Sequence, residues 1–168
     1  MEPIVVTAKL DLKTYYRIYL QVMYRVRQKV SVVIIFVCVN VVLFIDKPFD
    51  WFSEAMCIGF IALLYGVILP LRIWYICKKN MRTSPSLIHG ITYHITNENI
   101  EGIAPDSSAK TNWSLIGKVE EKETYFLMFN VNAPMMFRYL PKSGFASAED
   151  IERFKEIVKS NNIKAYFK

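Results

Sequence analysis

Two stretches of this 168-residue chain carry no charge: VSVVIIFVCVNVVLFI at Val30–Ile45 and AMCIGFIALLYGVILPL at Ala55–Leu71. A sixteen-residue helix rises about 24 Å, slightly short of a hydrocarbon core of about 30 Å. Arg27 and Lys29 can snorkel and let the first helix begin earlier. The second run grows to residues 55–77 if Arg72 reaches back to the head groups. Trp74 and Tyr75 then sit at interface depth on one side and Trp51 on the other. A signal peptide does not fit, because DKPFDWF follows the first run where a small-residue cleavage site would be needed. Length and lack of charge also separate both runs from soluble core helices. The expectation is a transmembrane hairpin over 30–77, with spans of about 30–45 and 55–77 and a loop short enough to make them antiparallel neighbours.

Charge sets the orientation. The net +6 is localised. Arg25, Arg27 and Lys29 precede the first run, while Arg72, Lys78, Lys79 and Arg82 lie at or beyond the end of the second. The connecting DKPFDWFSE holds one lysine and three acids. Positive charge stays inside, so both termini are expected in the cytoplasm. The basic balance therefore points to a membrane surface and not to nucleic acid. Arg25, Arg27, Lys29, Lys78, Lys79 and Arg82 are candidate contacts for anionic lipid, beside their plainer role in setting topology.

Small residues at Ala55, Gly59, Ala62 and Gly66 fall on one face of the second helix and permit close approach of another helix. That partner is the first span or, alternatively, a second copy or another protein. Asn40 wants a hydrogen-bond partner in lipid. Pro70 should kink the second helix or loosen its last turns. Cys38, Cys57 and Cys77 are odd in number and lack metal-ligand spacing, which suits buried free thiols.

Residues 1–29 read as a short strand, IVVTAK at Ile4–Lys9, then a basic amphipathic helix that Asp11 can cap. The apolar rhythm of that helix uses Leu12, Tyr15, Tyr16, Tyr19, Val22, Met23, Val26 and Val30. It can lie on the bilayer, pack on the C-terminal region, or simply extend the first span.

Residues 78–168 read as a small β domain. ITYHI and NIEGIA flank a TNE turn; PDSS is a second turn. AKTNW and LIGKVEE follow, then the nearly continuous apolar TYFLMFN, and MMFRYL, which Pro141 ends. SAED supplies Ser147 as N-cap for a helix whose apolar face is Ile151, Phe154, Ile157 and Val158. The tail IKAYFK either docks or frays. The fold class is α+β: a membrane hairpin plus a small antiparallel, pleckstrin-homology-like β domain closed by a C-terminal helix. The N-terminal strand can add to its edge.

The order of these segments, with NWSLIGKVEE, a strand pair and YLPKSGF before a short helix, resembles the bacterial YcxB-like family of membrane proteins. The positions that carry the resemblance are Trp113, Ile116, Val119, Tyr125–Phe129, Leu140-Pro141-Lys142 and Phe145. It implies an inner-membrane location and a fold, and brings no catalytic residues.

The chemical readings are weak. YLPKSGF lacks both P-loop glycines. His89 and His94 are an odd number apart and should face opposite sides of a strand. Glu120, Glu121 and Glu123 surround a turn, where solvation accounts for them. Trp113 reads as a core anchor. No catalytic, cofactor or metal residue is assigned. The expected role is a non-enzymatic membrane protein whose cytoplasmic domain is a scaffold or regulatory, protein-binding module. The alternatives are an enzyme subunit and an accessory subunit of a transporter.

Overall fold

The computed structural model describes residues 2–24, 34, 37, 51–133 and 136–167. The chain forms two compact units, one joining Met1–Asp11 to Asn80–Lys168 and the other spanning Leu12–Lys79. The first unit opens with β1 (Ile4–Ala8), whose side chains alternate. Ile4, Val6 and Ala8 are buried in the core while Val5 and Thr7 face out, as a half-buried strand of period two requires.

The helical unit follows. Its first helix, α1, covers residues 12–24. The fully buried position here is Ile18, with Val22 one turn on, whereas Tyr15, Tyr16 and Tyr19 of the expected rhythm are half-buried. The expected first span lies outside the described residues except for Ile34 and Val37, which are helical and exposed. Arg25, Arg27, Lys29, Cys38 and Asn40 also lie outside them. Next come α2 (Trp51–Leu63), a π-helical turn at Leu64–Ile68, and α3 (Leu69–Thr83). Together Trp51–Thr83 make a 33-residue helix whose apolar 18-residue window has a mean hydropathy of 2.1. Among the described residues it is the one helix long and apolar enough to cross a membrane.

The π turn has a local cause. In it Leu69 N–H donates to the Leu64 carbonyl, five residues back. The next such donor would be residue 70, which is proline and has no N–H. The Tyr65 carbonyl instead accepts the Tyr24 hydroxyl at 2.6 Å. The irregularity thus falls before Pro70, where a side chain from α1 satisfies the exposed carbonyl, and not in the last turns as expected, since Leu69–Thr83 is α-helical.

The chain returns to the first unit through α4 (Pro85–His89). Strands β2 (Ile91–Ile95), β3 (Asn99–Ala104) and β4 (Ser107–Asn112) follow and make an antiparallel sheet of order β1-β2-β3-β4. The TNE turn is held by the Thr96 hydroxyl, which accepts from the Asn99 N–H at 3.1 Å. Trp113 Nε1 donates to the Thr96 carbonyl at 2.9 Å, and the indole is buried, so it is the expected anchor. A second sheet, β7-β6-β5-β8, contains β5 (Ile116–Glu121), β6 (Tyr125–Asn130), β7 (Phe137–Pro141) and β8 (Lys164–Tyr166). Before β8 comes α5 (Ala148–Ser160), capped by the Ser147 hydroxyl on the Asp150 N–H at 3.1 Å. Phe154, Ile157 and Val158 of α5 pack into one core with residues of both sheets. The tail docks rather than frays: β8 runs parallel to β5, pairing Val119 with Ala165.

The α+β class, the antiparallel sheets and the C-terminal helix are as expected. So is the addition of β1 to a sheet edge, where Val6 pairs with Tyr93. On its other side Val6 also bridges Phe145, so β1 ties the first sheet to the end of β7.

Candidate functional site

The chemistry-bearing side chains of the β unit gather around Lys142, the lysine of YLPKSGF. β7 ends at Pro141 and a single 3-10 turn, Lys142–Gly144, follows. It directs Lys142 Nζ onto Glu121 of β5 at 2.6 Å and over the Phe126 ring at 5.3 Å. Lys155 of α5 approaches the same Glu121 oxygen at 3.5 Å and bonds Glu152 at 3.0 Å. Glu120, on the other face of β5, takes Lys118 at 3.0 Å and Lys122 at 3.4 Å.

The acidic cluster is therefore not a solvated turn. Glu120 and Glu121 are buried, and only Glu123 is exposed. Each buried carboxylate has two lysine partners, as burial of charge demands. The bond to Glu152 chiefly holds Lys155 above the ordinary lysine range, with Glu121 adding to it and burial opposing. Arg138 of β7 ties the sheets differently. It donates to Asn130 Oδ1 at 2.5 Å and to Thr111 Oγ1, on β4, at 2.8 Å. Burial pushes the nearby Tyr93 hydroxyl up, with Arg138 opposing.

These pairs are structural. Lys142→Met is expected to cost about 1–3 kcal/mol, because it removes the closest cation from the buried Glu121. Ser143→Ala next to it is expected to change stability by less than about 0.5 kcal/mol. Urea melts of the two variants check this, and equal effects would reopen a ligand role for the pair.

A polar cleft of about 470 Å³ lies between the β2–β3 turn, β4 and α5. Arg153 on its wall is already engaged, by Asp150 at 3.1 Å and by the Glu2 carbonyl at 3.0 Å. Among the described residues, no group of three His, Cys, Asp or Glu is placed to hold a metal ion.

Residues 95–158 match the family model of YcxB-like protein. Over this stretch the chain is similar to the YcxB-like family. The match runs from the end of β2 through most of α5, leaving β1 and β8 outside although both complete the sheets. Of the positions that carry the resemblance, Trp113, Ile116, Val119, Leu140 and Phe145 are all core. Tyr125 and Lys142 are half-buried instead, Lys142 held by Glu121. No curated protein matches the chain, and no solved structure matches it either.

In the helical unit, Ala55, Gly59, Ala62 and Gly66 are all exposed. A Cβ added at Gly59 or Gly66 would meet nothing within 4 Å among the described residues. On α3, Lys78 lies over the Trp74 ring at 4.7 Å, and Lys79 and Arg82 are exposed. Cys57 and Cys77 are free and buried. Sequence reasoning missed Lys155 and Arg138. Their signal was a lysine on the edge of an apolar helix face and an arginine inside an apolar strand.

Proposed function

We propose that this chain is an integral protein of the bacterial inner membrane. In this reading a two-helix hairpin is inserted between β1 and β2 of one cytoplasmic, pleckstrin-homology-like domain. That domain serves as a scaffold or regulatory module for a protein partner.

The observation that carries this is the pairing of β1 with β2 in one sheet. A folded sheet lies on one side of a membrane. The chain between Ala8 and Ile91 must therefore cross an even number of times. Trp51–Thr83 supplies one candidate crossing, so a second is needed. Val30–Ile45 is the other charge-free run of sixteen residues or more in that interval. Exposure supports a lipid environment: Met56, Ile58, Phe60, Leu63, Val67 and Leu71 all face outward, and only 11% of the apolar window is buried. Trp51 and Phe52 at one end and Trp74 and Tyr75 at the other are exposed as well. From Trp51 to Trp74 a helix rises about 35 Å, which suits aromatic belts flanking a core of about 30 Å.

The likeness to a pleckstrin-homology domain rests on four strands in one sheet, three successive strands in the next, and a helix after them. A scaffold role is supported by the filled core and by the lysine pairing of Glu120 and Glu121, which occupies those charges in structure. The open face at Gly59 and Gly66 favours a second reading, an accessory subunit that packs against another membrane helix.

Two measurements test the topology. Val5 and His94 stand opposite each other, so a Val5→Cys/His94→Cys pair in a background free of native cysteines should crosslink in sealed membranes. A cysteine at Pro48 should react with an impermeant reagent from the outer side. Labelling there from the cytoplasmic side alone sinks the hairpin. Purification in mild detergent tests the scaffold role, which fails if the protein reproducibly runs alone.

A further inference from the structure

The excess charge of this protein belongs entirely to its helical unit. Residues 12–79 hold nine Lys and Arg against three Asp and Glu, whereas residues 1–11 and 80–168 hold twelve of each. The three acids of the helical unit are Asp46, Asp50 and Glu54, the last of them in the first turn of α2. From Ala55 to Asn97 there is no acidic residue at all. Within the long helix the nearest acid to Arg72 and Lys78 is therefore Glu54, about 27 Å from Arg72 along the axis.

Their placement is specific. From Ala55, Arg72 is about 26 Å along the helix and Lys78 about 35 Å, so the two straddle the edge of a hydrocarbon core of about 30 Å. Arg72, Trp74 and Tyr75 are exposed. Lys78 is half-buried because it folds back over the Trp74 ring, 4.7 Å from its centre. At 3.6 residues per turn, Tyr75 falls between Arg72 and Lys78 on the helix surface. Arg72, Tyr75 and Lys78 spread over about 120° of the helix surface, with Trp74 about 40° further round beside Lys78, all away from the buried Ile73 and Cys77. This is the chemistry that recognises a phosphodiester: a guanidinium for its oxygens, an ammonium as a point charge, and amphipathic rings at the interface.

We propose that Arg72, Trp74, Tyr75 and Lys78 form a binding site for the phosphate head group of an anionic phospholipid in the cytoplasmic leaflet. The proposal rests on the membrane reading above. It differs from a purely topological role, which needs positive charge on this side but no particular partner for it.

The test is native mass spectrometry of the full chain, released from detergent with phosphatidylglycerol or phosphatidylcholine. Phosphatidylglycerol should be retained preferentially, by about fivefold for each cation engaged. Arg72→Gln/Lys78→Gln should bring the two lipids level. Arg25, Arg27, Lys29, Lys79 and Arg82 remain in that variant and keep the orientation. Trp74→Leu changes no charge, yet it should also lower the preference, which a topological role would not do. Equal retention of both lipids by the natural chain overturns the proposal, as does an unchanged preference in the variants. Displacement of the lipid by millimolar inorganic phosphate would overturn its lipid identity in favour of a general phosphate site. A chain that stays soluble without detergent would instead show that the membrane reading itself is wrong.

Discussion

Replacing Val6 by aspartate is expected to unfold the β unit, while the same change at Val5 is expected to leave it folded. The two residues are neighbours on β1, but the strand's period of two sends them to opposite faces. Val6 is completely buried and Val5 is 41% exposed. Full burial of a large aliphatic side chain contributes about 1.5–3 kcal/mol. An unpaired carboxylate in its place costs several more. A domain of this size has about 5–15 kcal/mol in all, so Val6→Asp consumes much or all of it. Deleting residues 1–10 should act in the same direction, since Ile4 and Ala8 leave the core with Val6 and β2 loses its neighbour.

The consequence reaches beyond stability. If β1 completes the sheet, residues 80–168 cannot finish folding until the returning chain meets residues 4–8 again. The intervening helices must bring both segments to one side before the core closes. Limited proteolysis of membranes carrying each variant reads the outcome. A resistant C-terminal fragment in the Val6→Asp variant, as abundant as in the natural chain, would separate β1 from the domain. It would also remove the parity argument for two crossings.

Much of this fold was legible because its signals are local. The alternation in IVVTA, the turn at Thr96–Glu98, the unbroken apolar β6 and the Ser147 cap each announce an element within a few residues. The core role of Trp113 was readable from its size and its strand context. What escaped was set by partners far away along the chain. Glu120 and Glu121 look solvated beside a turn, and only Lys142 and Lys155, arriving from β7 and α5, make their burial tolerable. The tail IKAYFK has no strand pattern of its own length to speak of, and β5 supplies the edge that makes it β8. Ile18 was passed over because the tyrosines around it dominate the helical rhythm, although it is the residue with no exposed surface. The polar neighbours of Arg138 are likewise on other strands.

Gly144 is the other position where a small change should have a large effect, and its reason differs from the one its turn context suggests. A glycine after Lys-Ser looks like a residue chosen for backbone freedom. Its backbone is not in the left-handed region, which among the glycines is found at Gly90 alone. Instead, a Cβ at Gly144 would land on the Thr7 carbonyl oxygen and come within 3.1 Å of Pro141 Cγ. Thr7 cannot retreat cheaply, because β1 is paired with β2 from Ile4↔Ile95 to Ala8↔Ile91 and Val6 also bridges Phe145. Gly90 approaches the same strand, with a Cβ there 2.9 Å from the Ala8 carbonyl. Two glycines thus let the rest of the unit close directly onto the backbone of β1. Gly144→Ala is expected to destabilise by at least about 1–3 kcal/mol, the usual range for overpacking, and Gly144→Val by more. Gly66→Ala is the matched control: among the described residues nothing lies within 4 Å of a Cβ there and the site is helical, so it should be neutral or gain up to about 1 kcal/mol. Thermal melts in detergent would compare them. A Gly144→Ala melt indistinguishable from the natural chain would mean that β1 does not lie against this turn. The YLPKSGF segment would then need another explanation for its glycine.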